Sequence, residues 1–179
     1  MHSEKQHIAN IGNSYKTLLV IRHAKSSWDS DTISDFERPL NERGKKDAPV
    51  MAQRLLDKKI AIDAFVSSPA KRAKKTAELF CQVYNKPNEE IILLSKLYHA
   101  APEIFFETIT ALEDKYDTVA VFSHNPGISE FVNLLVPAEM RIDNMPTCGI
   151  FAVKINTPRW TESIRAEKEL LFFDYPKNV

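Results

Sequence analysis

The sequence has little cysteine and no long apolar run, and each absence excludes a class of protein. Its 179 residues include two cysteines, Cys81 and Cys148, without a CxxC or Cys/His metal spacing. We therefore expect two reduced thiols in a cytoplasmic protein, with no disulfide framework. No segment approaches the roughly 20 apolar residues that a membrane span needs. Residues 1–16 are polar and lack the apolar core of a signal peptide.

The sequence also has no excess of positive or negative charge. The chain carries 24 Lys and Arg against 24 Asp and Glu, so its formal net charge is zero. This balance gives no reason to expect nucleic acid or a membrane surface as a partner. Internal repeats, low-complexity tracts and interdomain linkers are absent too. We predict a polar tail over residues 1–16 and one domain over residues 17–179, a length that suits a single core.

Short apolar segments alternate with segments of helical spacing. Strands are predicted at residues 17–22, 62–68, 91–95, 118–123, 148–155 and 169–175. Helices are predicted from the N-cap Asn41 to Lys58, from Pro69 to Tyr84, from Pro102, and from the N-cap Asn125 with Pro126 in first position. Strands that alternate with helices predict an α/β fold, a three-layer α/β/α sandwich around a mostly parallel sheet.

Polar side chains follow three of these strands. Arg22 and His23 end the first strand, Arg72 follows the second by one helical turn, and His124 follows the strand at residues 118–123. The carboxyl ends of parallel strands meet at one edge, so we expect these side chains to converge. Taken singly, each has a structural explanation. Together, two guanidiniums beside two imidazoles cost several kcal/mol to bury without an anion, which predicts a phosphate site.

Three sequence blocks carry a resemblance to a known family. RHAKSSW, SSPAKRAKKTAELF and SHNPG resemble the signature blocks of the histidine phosphatase superfamily, whose fold is phosphoglycerate-mutase-like. RHAKSSWDSDTISDFERPLNERGKKDA, LYHAAPE and VAVFSHNPGIS resemble its SixA-type phosphohistidine phosphatase branch in particular. The resemblance extends from Thr17 to about Leu135, and beyond that it is limited to strand order.

The resemblance implies a role for each of the four residues. His23 would be the nucleophile that becomes phosphorylated, Arg22 and Arg72 would clamp the phosphoryl oxygens, and His124 would donate a hydrogen bond to the same group. It implies no metal and no cofactor. The substrate would be a phosphorylated protein, in particular phosphohistidine, or a small phosphorylated molecule.

Some positions depart from the wider family pattern. Ala24 stands where glycine is usual, although the SixA-type branch often has alanine. Asp29 stands where mutase-like members carry asparagine, so we expect it to point away from the phosphate or to be neutralised by Lys25. Ser26 has two open interpretations, as a donor to the phosphate or as the cap of a turn.

The usual acidic motif of the superfamily is not recognisable after the third strand. Glu103 and His99 are the candidates for a general acid, and Glu103 is better explained as a carboxylate that stabilises a helix N-terminus. A site without a general acid suits a phosphoramidate substrate, because the P–N bond of a phosphoramidate is labile. The short segment between Ser95 and Thr118 also leaves no room for a large lid domain, which predicts a shallow, open pocket.

Three alternatives remain open on the sequence. The protein could be a phosphatase of small phosphoesters such as sugar phosphates, or a non-catalytic module that binds phosphohistidine. The complete set of four residues favours an enzyme, because a binding module needs no nucleophile. A metal site on His23 and His124 is disfavoured, because Arg22 and Arg72 would repel a cation.

Overall fold

Strands and helices alternate along the chain as predicted. The computed structural model describes residues 14–28 and 31–178. The strands there are β1 (Lys16–Arg22), β2 (Ala64–Ser67), β3 (Ile92–Leu93), β4 (Thr118–Ser123), β5 (Ile150–Ile155) and β6 (Lys168–Asp174). The α-helices are α1 (Glu42–Asp57), α2 (Lys71–Val83), α3 (Pro102–Thr110) and α4 (Gly127–Leu134). Short 3-10 turns occupy Asn88–Glu90, Ser95–Leu97, Ala138–Met140 and Trp160–Glu162.

The strands form one sheet in the order β3-β2-β4-β1-β5-β6. The four strands from β3 to β1 run parallel to one another, whereas β5 pairs antiparallel with both β1 and β6. The predicted mostly parallel sheet is therefore confirmed. The three strands whose exits carry the candidate residues, β2, β4 and β1, are direct neighbours at its centre.

Both faces of the sheet are covered. Leu18 and Val20 of β1 face one hydrophobic cluster, and Leu19 and Ile21 face another, as the alternation of side chains along a strand requires. The first cluster includes residues of α3 and α4, and the second includes residues of α1 and α2. The three-layer α/β/α sandwich is thus confirmed.

The third strand is shorter than predicted. Only Ile92 and Leu93 pair with β2, and both are exposed, because β3 lies at the edge of the sheet. The predicted strand over residues 91–95 was therefore too long. Between Ser95 and Thr118 the chain forms one turn and α3, so no large lid domain is inserted there, as predicted.

Two of the predicted helix starts were also wrong. Asn41 does cap α1, accepting a hydrogen bond from the Gly44 N–H at 2.9 Å. The second helix, however, starts at Lys71 rather than at Pro69. The fourth is capped by Pro126 rather than by Asn125, whose side-chain oxygen instead accepts a hydrogen bond from Ser129 Oγ at 2.6 Å.

Two expectations concern residues outside the described ranges. These are Asp29 and residues 1–13, which form most of the predicted tail. Strand β1 begins one residue earlier than predicted, at Lys16, whose buried ammonium group contacts the Asp117 carboxylate at 2.8 Å. Both cysteines are buried and unpaired. None of the helices within the described ranges has the length and apolar character needed to cross a membrane.

Candidate active site

The exits of the three central strands bring the predicted residues together. Arg22 lies opposite Ser123 in the pairing of β1 with β4, so His23 and His124 leave neighbouring strands at the same level. Their ring centroids are 5.2 Å apart. The Nε of Arg72, in the first turn of α2, lies 3.3 Å from the Nε2 of His23. The convergence expected from the sequence is present in the structure.

The environment of His23 fixes the position of its proton. Its Nδ1 lies 2.7 Å from the carbonyl oxygen of Ala24, an acceptor only, so Nδ1 carries the proton. Nε2 then has a free lone pair, which faces the N–H of Arg72. Burial lowers the pKa of His23 well below its usual value, and the charges of His124, Arg72 and Arg22 lower it further, against the Ala24 hydrogen bond. The imidazole is therefore neutral at physiological pH.

His124 is held in the same way through its other nitrogen. Its Nε2 lies 2.7 Å from the hydroxyl of Ser68, which also accepts a hydrogen bond from the Ala70 N–H at 3.3 Å. The Ser68 hydroxyl can donate to Nε2 or accept from it, and a role for His124 as a donor to a phosphoryl group would require the tautomer with its proton on Nδ1. Burial, followed by the charge of Arg72, lowers the pKa of His124 to about 3. His124 is therefore a neutral, buried imidazole whose Nδ1 has no hydrogen-bond partner within the described ranges.

Arg22 is anchored by one end of its guanidinium. Its Nη1 donates to the carbonyl oxygen of Met145 at 2.7 Å. Burial lowers the pKa of Arg22, and the charges of Arg72 and Arg38 lower it further.

Arg38 is the member of this group that sequence reasoning missed. It lies on the loop between β1 and α1, donates to Ser26 Oγ at 2.8 Å, and stacks on the ring of Trp28 at 3.7 Å. Ser26 is buried and is used as an acceptor for Arg38, which favours a supporting role over direct phosphate contact. The ERPL segment within the family resemblance was the signal that could have identified Arg38.

Three buried nitrogens in this cluster lack a partner. They are the Nε of Arg22, the Nε of Arg38 and the Nδ1 of His124, none of which has a hydrogen-bond acceptor within the described ranges. Buried polar nitrogens without partners are rare and costly. Two of these belong to guanidiniums and the third to an imidazole. The oxygens of a bound oxyanion would supply acceptors for N–H groups of this kind.

Asp35 connects the guanidiniums and was also missed. Its Oδ2 accepts from Arg72 Nη2 at 2.9 Å and from the Tyr98 hydroxyl at 2.7 Å, and its Oδ1 accepts from Arg38 Nη2 at 2.9 Å. Its backbone carbonyl oxygen accepts a further bond from Arg72. Desolvation raises the pKa of Asp35, but the hydrogen bonds from Tyr98, Arg72 and Arg38 outweigh it and leave the pKa well below its usual value.

The two candidate acids differ in position. His99 Nε2 lies 3.5 Å from Asp35 Oδ2, and with His124 and Glu130 it lines a cavity of about 200 Å³. Its backbone has a φ of 52°, a left-handed conformation that is uncommon outside glycine and often found at functional sites. Glu103 is exposed in the first turn of α3, where its charge favours the helix N-terminus. The structure brings His99, but not Glu103, to the edge of the site.

An α/β sandwich that gathers two imidazoles and three guanidiniums beside its central strand exits is suited to binding a phosphoryl group. Residues 18–97 match the sequence model of the histidine phosphatase superfamily (branch 1). This segment, which includes Arg22, His23 and Arg72, is therefore similar to that superfamily.

The chain is also similar to a curated relative and to solved structures. An uncharacterised protein of Mycobacterium leprae is 29% identical over 167 residues, which cover 88% of this chain and 100% of that protein. The protein histidine phosphatase SixA in complex with tungstate superposes with a TM-score of 0.76 at 24% identity, covering 90% of this chain and 98% of that one. A SixA from Agrobacterium tumefaciens gives 0.77 at 22% identity, with 90% and 98% covered. These two likenesses establish a SixA-like fold.

Proposed function

We propose that the protein removes the phosphoryl group from phosphohistidine on a protein, through a phosphorylated His23 intermediate. The observation that carries this proposal is the neutral state of His23, with Nδ1 donating to the Ala24 carbonyl and Nε2 free to attack. A nitrogen nucleophile at neutral pH needs an unprotonated lone pair, and this hydrogen bond supplies it.

The reaction would take two steps. In the first, His23 Nε2 forms a bond to phosphorus as the P–N bond of the substrate breaks, and the substrate leaves as neutral imidazole because its other ring nitrogen already carries a proton taken from solvent. In the second, water attacks the phosphorus of phospho-His23, which releases inorganic phosphate and restores the imidazole. Arg22 and Arg72 would hold the phosphoryl oxygens in both steps, and the N–H of His124 would stabilise the charge that develops on them.

The proposed reaction is independent of metal. Among the residues that the structure describes, no group of three or more His, Cys, Asp or Glu side chains is arranged to hold a metal ion. Arg72 Nε also points at the free nitrogen of His23, and a cation there would be repelled. The guanidiniums would take the part that metal ions have in other phosphoryl-transfer sites.

The substrate class follows from the acid–base properties of the site. An alcohol leaving group requires a proton donor, usually a carboxylic acid with a raised pKa. The carboxylate at the centre of this site, Asp35, has a lowered pKa and stays ionised. This supports a phosphoramidate substrate, whose imidazole leaving group departs readily once protonated. The name of the similar SixA structure, protein histidine phosphatase, supports a protein as the carrier.

A phosphatase of small phosphoesters is the second candidate. The observation in its favour is the cavity lined by His99 and His124, because an imidazole at that edge could protonate an alkoxide leaving group. A non-catalytic phosphohistidine-binding module is less well supported, since it would not need the free Nε2 of His23.

The test is to trap the intermediate. The protein is mixed for milliseconds with a ³²P-phosphohistidine peptide and, separately, with alkyl phosphates, then quenched in base. We expect acid-labile, base-stable label on His23 from the peptide only, and no label in His23→Ala. His99→Gln, at the rim, is the matched control and should still label. Equal turnover of alkyl phosphates would contradict the phosphohistidine preference, and turnover by His23→Ala would contradict the mechanism.

A further inference from the structure

A basic pocket borders the candidate site on the side of Arg22. It has a volume of about 390 Å³, and its walls include four cationic side chains, Arg22, Lys25, Arg43 and Lys177, but one carboxylate, Asp47. The whole chain has a formal net charge of zero. The lysine and arginine side chains are therefore concentrated at this pocket, although the protein as a whole is not basic.

The backbone around Lys25 fixes one wall of the pocket. The Lys25 carbonyl oxygen accepts a hydrogen bond from the Asn41 N–H at 3.0 Å, where α1 begins. Gly44 permits this close approach, since a Cβ at that position would lie 2.1 Å from the same oxygen. Lys25 is thus held two residues beyond His23, against the helix that carries Arg43 and Asp47.

The positive charges of the pocket are largely uncompensated. Asp47 forms an ion pair with Arg43 at 3.4 Å. Lys25 and Lys177 form no ion pair with any other residue in the described ranges, and the Asp47 Oδ2 atom is a buried oxygen without a hydrogen bond. Cations gathered in a concave site attract an anion, and this attraction raises the rate of encounter as well as the affinity.

The cavity lined by His99 and His124 has a different character. It is lined by the imidazoles of His99 and His124 and by the carboxylate of Glu130, without lysine or arginine. A negatively charged group attached to the substrate would be repelled by Glu130 there and attracted by Lys25 and Lys177 on the side of Arg22.

We propose that the basic pocket binds an acidic side chain of the protein substrate, next to the phosphohistidine. This inference rests on the proposed function. Trp28, which stacks on Arg38 at the same site, is 72% exposed, and an exposed tryptophan is typical of a protein-binding surface. A second basic cavity of about 360 Å³ lies between α1 and α2 and includes Lys71 and Lys74, which also fits an acidic protein surface.

The test uses two peptides that carry phosphoryl-triazolylalanine, a stable analogue of phosphohistidine. One peptide has aspartates beside the analogue and the other has asparagines. Calorimetry should give about tenfold tighter binding of the aspartate peptide to the wild type at low salt, with the difference shrinking as salt is added. In the double variant Lys25→Gln/Lys177→Gln the preference should fall below about twofold. The double variant Lys59→Gln/Lys86→Gln, outside the pocket, should keep it.

Each other result has a distinct meaning. Equal binding of the two peptides to the wild type would overturn the acidic subsite while leaving the proposed function intact. A preference that persists in Lys25→Gln/Lys177→Gln would overturn its assignment to this pocket. If neither peptide binds but a small bisphosphate does, and the same variant weakens it, the pocket takes a second phosphate of a small molecule, and the proposed protein substrate is wrong.

Discussion

The Nε of Arg72 lies 3.3 Å from the Nε2 of His23, so a guanidinium donates to the nitrogen that we propose as the nucleophile. This contact engages the lone pair of Nε2, which would face phosphorus once the Arg72 N–H donates to a phosphoryl oxygen instead. Arg72 is 2% exposed and holds Asp35 with both of its terminal nitrogens. Its Nε can therefore pass from His23 to a phosphoryl group without a rearrangement of the rest of the side chain.

Removal of the Arg72 guanidinium should have a large effect on turnover. We expect Arg72→Ala to lower kcat/KM by about 10²- to 10³-fold, because a preorganised donor to the transition state is lost. Steady-state kinetics on a phosphohistidine peptide measure this. Gln82 is exposed near the end of the same helix and lies outside the site, so Gln82→Ala is the matched control and should stay within about twofold. A loss below threefold in Arg72→Ala would contradict the proposed clamp.

The carboxylate of Asp35 should act by orienting Arg72 and Arg38. In Asp35→Asn the charge that holds both guanidiniums is lost, and we expect kcat/KM to fall about tenfold or more, since small displacements of positioning groups are costly. Asp31→Asn, an exposed change on the same loop, is the control. Tighter binding of inorganic phosphate with an undiminished rate would instead mean that Asp35 competes with the phosphoryl group.

The positions of Arg22, His23, Arg72 and His124 were predictable because a rule of topology connects them. Each follows a strand, and parallel strands that are neighbours deliver their carboxyl ends to one edge. The sequence could not show how these residues are supported. Asp35 and Arg38 lie in the loop between β1 and α1, whose contacts to Arg72 and Tyr98 are tertiary and leave no periodic signal.

The wrong boundaries have a similar cause. Residues 91–95 are apolar enough for a buried strand, but the edge position of β3 limits pairing to Ile92 and Leu93. Asn125 has the side chain of a good N-cap, yet Ser129 and Met145 bind its carboxamide in the folded chain. In both cases a local preference is overridden by a neighbour that is distant in sequence or by the place of the strand in the sheet.

Thr76 connects the loop after β1 to α2, and its hydroxyl should contribute to stability. The hydroxyl accepts from the Ala24 N–H at 3.0 Å and donates to the Arg72 carbonyl oxygen at 2.7 Å. Thr76→Val keeps the shape but leaves a buried N–H without an acceptor, so we expect a loss of about 1–3 kcal/mol in the free energy of unfolding. Urea denaturation measures this.

Thr108→Val provides the comparison for Thr76→Val. Thr108 is also buried, but its hydroxyl donates only to the Ile104 carbonyl oxygen within its own helix, so no N–H is orphaned by the substitution. We expect it to cost distinctly less. If the two variants lost the same free energy, the bond between Thr76 and Ala24 would have no special part in holding the loop that follows His23.

The two buried imidazoles should make the protein less stable as the pH decreases below about 6.5. The pKa of His23 is lowered well below 6.5 in the folded protein and that of His124 to about 3, chiefly by burial. In the unfolded chain both titrate near 6.5, so below that pH the unfolded state binds protons that the folded state does not. The free energy of unfolding should therefore decrease as pH falls, by up to about 1.4 kcal/mol per pH unit for each imidazole.

Chemical denaturation between pH 6.5 and 5, above the range where most carboxylates titrate, measures this slope. His124→Gln should make this slope shallower by up to about 1.4 kcal/mol per pH unit, because one buried imidazole is removed. His99→Gln, at an exposed position, is the control. Equal slopes in the wild type and in His124→Gln would show that His124 does not stay neutral in the folded protein.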